Sequence, residues 1–65
     1  MELGRNIAKW RKGRGFTQKE LAEKVGISED YLSMIERGKR KPHMRVMVQI
    51  AFIIEIELWE LIRED

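Results

Sequence analysis

The stretch from Thr17 to Gly38, TQKELAEKVGISEDYLSMIERG, holds two short helical patterns separated by one glycine. Thr17 followed three residues later by Glu20 has the spacing of a capping box, and Phe16 and Leu21 bracket it as a hydrophobic staple. Gly26 supplies the left-handed residue that closes a helix, with Ile27 folding back onto Ala22. Ser28 then caps the next helix. The spacing predicts helices over about Gln18–Val25 and about Glu29–Arg37, joined by a turn so short that they must cross steeply. Leu21, Ala22 and Val25 of the first helix and Leu32 and Ile35 of the second point inward. The outer face of the second helix is left free, and an exposed helix held this way fits the major groove of a DNA duplex.

Upstream, Leu3, Ile7 and Trp10 recur at helical spacing and predict an amphipathic helix over Glu2–Lys12, ended by Gly13 and Gly15. Downstream, Gly38 ends the third helix, Lys39, Arg40 and Lys41 form a basic loop, and Pro42 suits the first turn of a fourth helix. The remainder reads two ways. Met44–Ile54 is almost all apolar, Ile54–Leu58 alternates like a strand, and Val46, Val48, Ile50, Ile53, Ile54 and Ile56 are β-branched. Pro42 as a start signal and the helical spacing of Leu58, Leu61 and Ile62 favour helix. The expectation is an all-α bundle of five helices in a single domain over 1–65, with the helix-turn-helix proper at about 17–37 and helices four and five at about 42–63.

A chain of 65 residues forms a marginal core by itself, so a second subunit would help. The absence of cysteine excludes disulfides, thiolate zinc sites and thiol nucleophiles. His43 is the one histidine; beside a proline at a helix start it reads as a solvated residue without a chemical role. Gly13 and Gly15 flank a charged turn and do not make a dinucleotide fingerprint. No enzyme, metal or cofactor is expected. The longest uninterrupted apolar run, Ile50–Ile54, is far too short to span a bilayer, and no secretory signal is visible. The expected setting is therefore cytoplasmic, with no membrane partner. Met1 at the start and the charged ending Glu64-Asp65 favour a complete chain.

The net charge of +2 hides an asymmetry. Residues 1–42 carry 11 Lys/Arg against 6 Asp/Glu, and residues 43–65 carry 2 against 5. The basic charge travels with the helix-turn-helix, which points to a polyanionic partner.

Almost the whole chain, from Leu3 to Ile62, resembles the phage repressor/Cro-type (XRE) helix-turn-helix domain. The resemblance rests on LGRNIAKWRKGRGFTQKELA, EKVGIS, YLSMIERGKRKP, an apolar helix ending in IA and a final helix carrying LWELI, in register without a gap. Gln18, Leu21, Ala22, Gly26, Ile35, Glu36, Gly38 and Pro42 stand where the family pattern puts them. It implies a five-helix bundle of the lambda-repressor-like type that binds double-stranded DNA, usually as a two-fold homodimer on a palindromic operator, in the role of a small transcriptional regulator. It also implies a structural ion pair between Arg11 and Glu36 rather than any catalytic use of Glu36.

On this reading Gln18, at a helix N-terminus, and Ser28 meet phosphates. Arg37, Lys39, Arg40 and Lys41, four cations in five positions beside the reading helix, clamp the backbone, and Lys12 and Arg14 add charge from the other side. About three neutralised phosphates per subunit would give a dimer a log–log salt slope of about −5. Base reading falls to Glu29, Asp30, Tyr31, Ser33 and Met34. The two acids depart from the Gln, Arg, Ser or Asn that many relatives use there. They suit a helix N-terminus, and either can accept a hydrogen bond from cytosine N4.

In the family pattern Met44, Met47, Ile50, Ala51, Ile54, Ile56, Leu58 and Leu61 face inward. Val48, Phe52, Ile53 and Trp59 are then an apolar surplus, read as a homodimer interface. The family's glycine between helices four and five is replaced by Glu55, and Glu57 takes the usual small cap position. Glutamate enters positive φ poorly, so the connection is expected to be distorted or helix four to run on. A rival reading is a protein-interaction module of the same fold, an antitoxin or a transcriptional bridging protein, meeting a second protein through the apolar carboxy-terminal surface.

Overall fold

The computed structural model describes residues 2–63 and folds them into α1 (Glu2–Gly13), α2 (Gln18–Val25), α3 (Glu29–Glu36), α4 (Met44–Ile53) and α5 (Leu58–Ile62), with no strand among the described residues. Met1, Glu64 and Asp65, on which the expectation of a complete chain rested, lie outside the described residues.

The starts of α2 and α3 follow the expected chemistry. The Thr17 hydroxyl accepts from the Glu20 N–H at 3.0 Å, and the Glu20 carboxylate accepts from the Thr17 N–H at 2.9 Å. Ser28 Oγ accepts from the Tyr31 N–H at 3.0 Å. The first four helices all end in the same device, a left-handed residue followed by a backbone N–H that returns to the last turn. The returning bonds are Phe16 N–H to Arg11, Ile27 N–H to Ala22, Lys39 N–H to Met34 and Ile56 N–H to Ala51.

Glu55 therefore does what the missing glycine would have done. It takes φ 62°, α4 stops at Ile53, and the connection is regular rather than distorted or run on. The compensation is visible. Arg14 Nε donates to the Ile54 carbonyl at 2.7 Å and its Nη2 to the Glu55 carbonyl at 3.1 Å. An arginine from the α1–α2 turn thus binds the carbonyls of the two residues that follow α4. Arg14 faces this helix end rather than adding charge to the reading surface.

One core joins all five helices. Ile7, Leu21, Leu32, Ile35, Ile50, Ile54 and Leu61 are fully buried, and Leu3, Ala22, Val25 and Ala51 are nearly so. α1 packs on α3 and α5, α2 packs on α3 and α4, and α4 meets α5. The strand-like alternation of Ile54–Leu58 spans the bend between α4 and α5. Pro42 is buried two residues before Met44, outside the helix, and exposed His43 is the cap residue. Burial along α4 deepens from its start, from Met44 (60% exposed) through half-buried Met47 to Ile50 (0%). Met44 is thus not an inward residue, because it opens the helix one turn before the core begins.

Candidate nucleic-acid interface

α3 is held from behind by its own apolar stripe and by two contacts at its carboxy-terminal end. Leu32 and Ile35 are fully buried. Gly4 of α1 lies directly against the last turn, where a Cβ would stand 2.7 Å from the Glu36 carbonyl oxygen and nearer still to that of Ile35. Arg11 grips the same turn. Its Nε donates to Glu36 Oε2 at 2.7 Å and its Nη2 to Glu36 Oε1 at 3.1 Å, while Nη1 donates to the Phe16 carbonyl at 2.8 Å. The two side chains are 9% and 5% exposed. A bidentate, desolvated pair of this kind adds geometric definition as well as energy.

Gln18 belongs to the same network, because its Nε2 donates to Glu36 Oε1 at 2.9 Å. One of its two amide hydrogens is thereby spent inside the protein. A phosphate at this helix start would meet the backbone N–H of Gln18 or the second amide hydrogen. Ser28 is exposed and its hydroxyl oxygen serves as the α3 cap.

The outer face of α3 carries Glu29 and Asp30, both exposed, with Ser33 and Met34 half-buried, while Tyr31, also half-buried, packs on the core. Arg37 is the residue that caps α3 rather than its last helical residue. Gly38 at φ 76° reverses the chain, and exposed Lys39, Arg40 and Lys41 follow. The structure thus gathers the cations at the carboxy-terminal edge of the helix whose first turn carries the acids. Arg40 folds back across Tyr31, its guanidinium carbon 5.7 Å from the ring centroid.

Away from α3, the apolar surplus sorts unevenly. Phe52 (81% exposed), Trp59 (58%) and Val48 (47%) lie open, as expected. Ile53 does not join them; it is half-buried and packs on the core. Ile62, 52% exposed, was not anticipated. A cavity of about 380 Å³ opens beside Phe52, lined by Ala51, Glu55, Ile56, Glu57 and Glu60.

Three residues with positional work escaped the sequence reading. Gly4 is a lone glycine inside a helical pattern, which is itself a signal of close packing. Asn6 Nδ2 donates to the Leu61 carbonyl at 2.7 Å and the Arg63 carbonyl at 2.9 Å, tying α1 to the end of α5. Asn6 and Arg14 bridge 55 and 40 residues to these partners, so no local pattern announces them.

Comparison with known proteins places this geometry. The helix-turn-helix family model matches residues 7–58. The chain is 35% identical over 60 residues to the uncharacterized HTH-type transcriptional regulator y4dJ of Sinorhizobium fredii, covering 92% of this chain and 78% of that protein. It is 32% identical over 63 residues to the HTH-type transcriptional regulator SinR of Bacillus subtilis, covering 95% of this chain and 57% of SinR, so it spans little more than half of that relative. Among solved structures, SinR in complex with DNA superposes with a TM-score of 0.88 at 31% identity, covering 94% of this chain and 98% of that one. The restriction-modification controller protein C.AhdI of Aeromonas hydrophila superposes with a TM-score of 0.87 at 28% identity, covering 92% and 91%.

Proposed function

Because the chain belongs to the helix-turn-helix family of the phage repressor/Cro (XRE) type, we propose that it is a small DNA-binding transcriptional regulator that occupies an operator as a homodimer. The observation that carries this reading is the outward surface of α3, pinned from behind through Gly4 and Arg11 and edged by four cations. A helix so held enters a major groove as a rigid element, and the cations at its edge meet the phosphates on either side.

The work divides by position. Arg37, Lys39, Arg40 and Lys41, with Ser28 and the start of α2 at Gln18, fix register on the backbone. Glu29, Asp30, Ser33 and Met34 face base edges. A carboxylate in the first turn complements the helix N-terminus by about 0.3–1 kcal/mol and accepts from cytosine N4. The same charge repels misplaced phosphate, which lowers binding to wrong sequences.

The homodimer is proposed to form through Val48, Phe52, Trp59 and Ile62. Burying each such side chain contributes about 1.5–3 kcal/mol, which a monomer of this size forgoes. A two-fold pair places its reading helices about 34 Å apart, one turn of DNA, on a palindromic site. Binding needs no cofactor and no catalytic step, and a regulator of this kind works in the cytoplasm beside the chromosome. Selection of duplexes from a random pool, with sedimentation of the free protein, tests both parts. The expected result is an enriched palindrome and a dimer at micromolar concentration. Failure to enrich any sequence at low salt refutes the DNA reading. A monomer that sediments as a pair only with a second protein refutes self-association.

A further inference from the structure

Tyr31 sits where the reading helix and the basic loop meet. It is the third residue of α3, half-buried and packed on the core, with its N–H taken by the Ser28 cap. Beyond Gly38 the chain returns along the helix it has just left, for the N–H groups of Lys39 and Arg40 both donate to the Met34 carbonyl, at 2.8 and 3.4 Å. Met34 lies one turn beyond Tyr31 on the same side of α3. Arg40 therefore starts beside Met34, and its side chain runs back one turn to stack on the Tyr31 ring at 5.7 Å. Among the described residues, Arg37, Lys39 and Lys41 rest on no ring.

We propose that Tyr31 is a positioning residue for DNA binding, whose ring holds the Arg40 guanidinium against the outward face of α3 so that this arginine meets a phosphate already ordered. The inference rests on the DNA-binding reading above and moves Tyr31 out of the group that reads bases. A planar guanidinium stacks on an aromatic face while its edge N–H groups stay available to a phosphate. An arginine ordered before contact loses less freedom on binding, an advantage of about two- to fivefold in affinity per subunit.

The test uses a duplex that the wild-type protein recovers from a random pool, titrated across a salt series. Tyr31→Phe keeps the ring and binds as wild type does. Tyr31→Ala weakens binding about two- to fivefold per subunit and leaves the salt slope unchanged, because Arg40 still reaches its phosphate. Arg40→Ala weakens binding further and lowers the slope by about 0.9 per subunit. In the Arg40→Ala background, Tyr31→Ala costs nothing more. Additive losses, a loss in Tyr31→Phe, or an altered base preference in Tyr31→Ala overturn the proposal, since each shows Tyr31 touching DNA itself. The free protein provides a separate check. Ring-current shifts on the Arg40 side-chain protons should appear in wild type and Tyr31→Phe and vanish in Tyr31→Ala. Their absence from the wild type overturns the positioning role even where DNA binds. A wild type that recovers no duplex overturns the DNA reading, and this inference with it.

Discussion

Replacing Gly4 with alanine sets two physical rules against each other. In an isolated helix the change is favourable by about 0.8–1.0 kcal/mol, since glycine is among the poorest helix formers. In this fold the new methyl group has no room. It would lie 2.7 Å from the Glu36 carbonyl oxygen and 2.9 Å from the Glu36 carbonyl carbon, with the Ile35 oxygen closer still. Comfortable separations between carbon atoms are about 3.5–4.0 Å, so α1 must withdraw from α3 by roughly an ångström. The obstacle is backbone, which cannot rotate aside as a side chain would. Overpacking of this kind costs about 1–3 kcal/mol. Withdrawal also strains the Arg11–Glu36 pair, whose 2.7 Å bond joins the same two helices. Setting the strain against the helix-propensity gain leaves a net loss of about 1–2 kcal/mol. For a domain of this size that lowers the thermal midpoint by about 5–15 °C. Gly13→Ala is the matched control, because it alters the same helix at a position with nothing within 4 Å. It should raise the midpoint by a few degrees, corresponding to about 0.5–1 kcal/mol. Thermal and urea unfolding followed by far-ultraviolet circular dichroism measure both variants. A Gly4→Ala protein that melts at or above the wild type would refute the close approach of α1 to α3.

Glu36→Ala leaves the Arg11 guanidinium buried with only the Phe16 carbonyl for company. It should cost about 3–5 kcal/mol, enough to unfold much of the protein at ambient temperature, and an unchanged melting midpoint would rule this out. Glu55→Gly should stabilise by about 0.5–1 kcal/mol, the relief of a left-handed glutamate less the added freedom of glycine in the unfolded chain; urea midpoints decide it. Lys39→Ala should weaken binding to all duplexes alike and flatten the salt slope by about 0.9 per subunit, whereas Glu29→Ala should shift base preference at one position per half-site. Identical behaviour of the two across a site library would show that positioning and reading are not divided as described. Phe52→Glu should sediment as a monomer at micromolar concentration, and a persistent dimer would place the interface elsewhere.

What the sequence made legible was whatever it encodes locally. Thr17 with Glu20, Ser28, Gly26 and Gly38 each act within a few residues, and the boundaries of α2 followed from them to the residue. The apolar spacing of Leu21, Val25, Leu32 and Ile35 likewise marked the buried faces. Less visible was how the helices are fastened to one another. Arg14 reads as one more cation in a basic half, yet it spends two hydrogen bonds on the end of α4. Because of it, Glu55 can occupy a conformation that local propensity argues against. Gln18 reads as a helix start free to meet a phosphate, until Glu36 arrives from 18 residues away. Met44 and Ile53 were misplaced for a related reason. Periodicity gives the direction in which a side chain points, but the neighbouring helices determine how far along the axis the core extends.

The network joining these residues determines what a substitution within it reports. Glu36 Oε1 accepts from both Arg11 and Gln18, so one oxygen links α1, the end of the reading helix and the start of the helix before it. The scaffold and the proposed groove contacts therefore share atoms. A substitution at Gln18 removes a bond from a buried ion pair as well as a group near phosphate, so a loss of DNA affinity there does not by itself identify a phosphate contact. Lys39 and Lys41 lie outside this network, exposed beyond the close of α3, so changes to them report on DNA with little effect on folding. The separation can be measured. Across a panel of variants, affinity should fall together with melting temperature at Gln18, Arg11 and Glu36, and fall without it at Lys39 and Lys41. A Gln18→Ala protein with wild-type stability and reduced affinity would show instead that its amide serves the duplex, and that the ion pair does not need it.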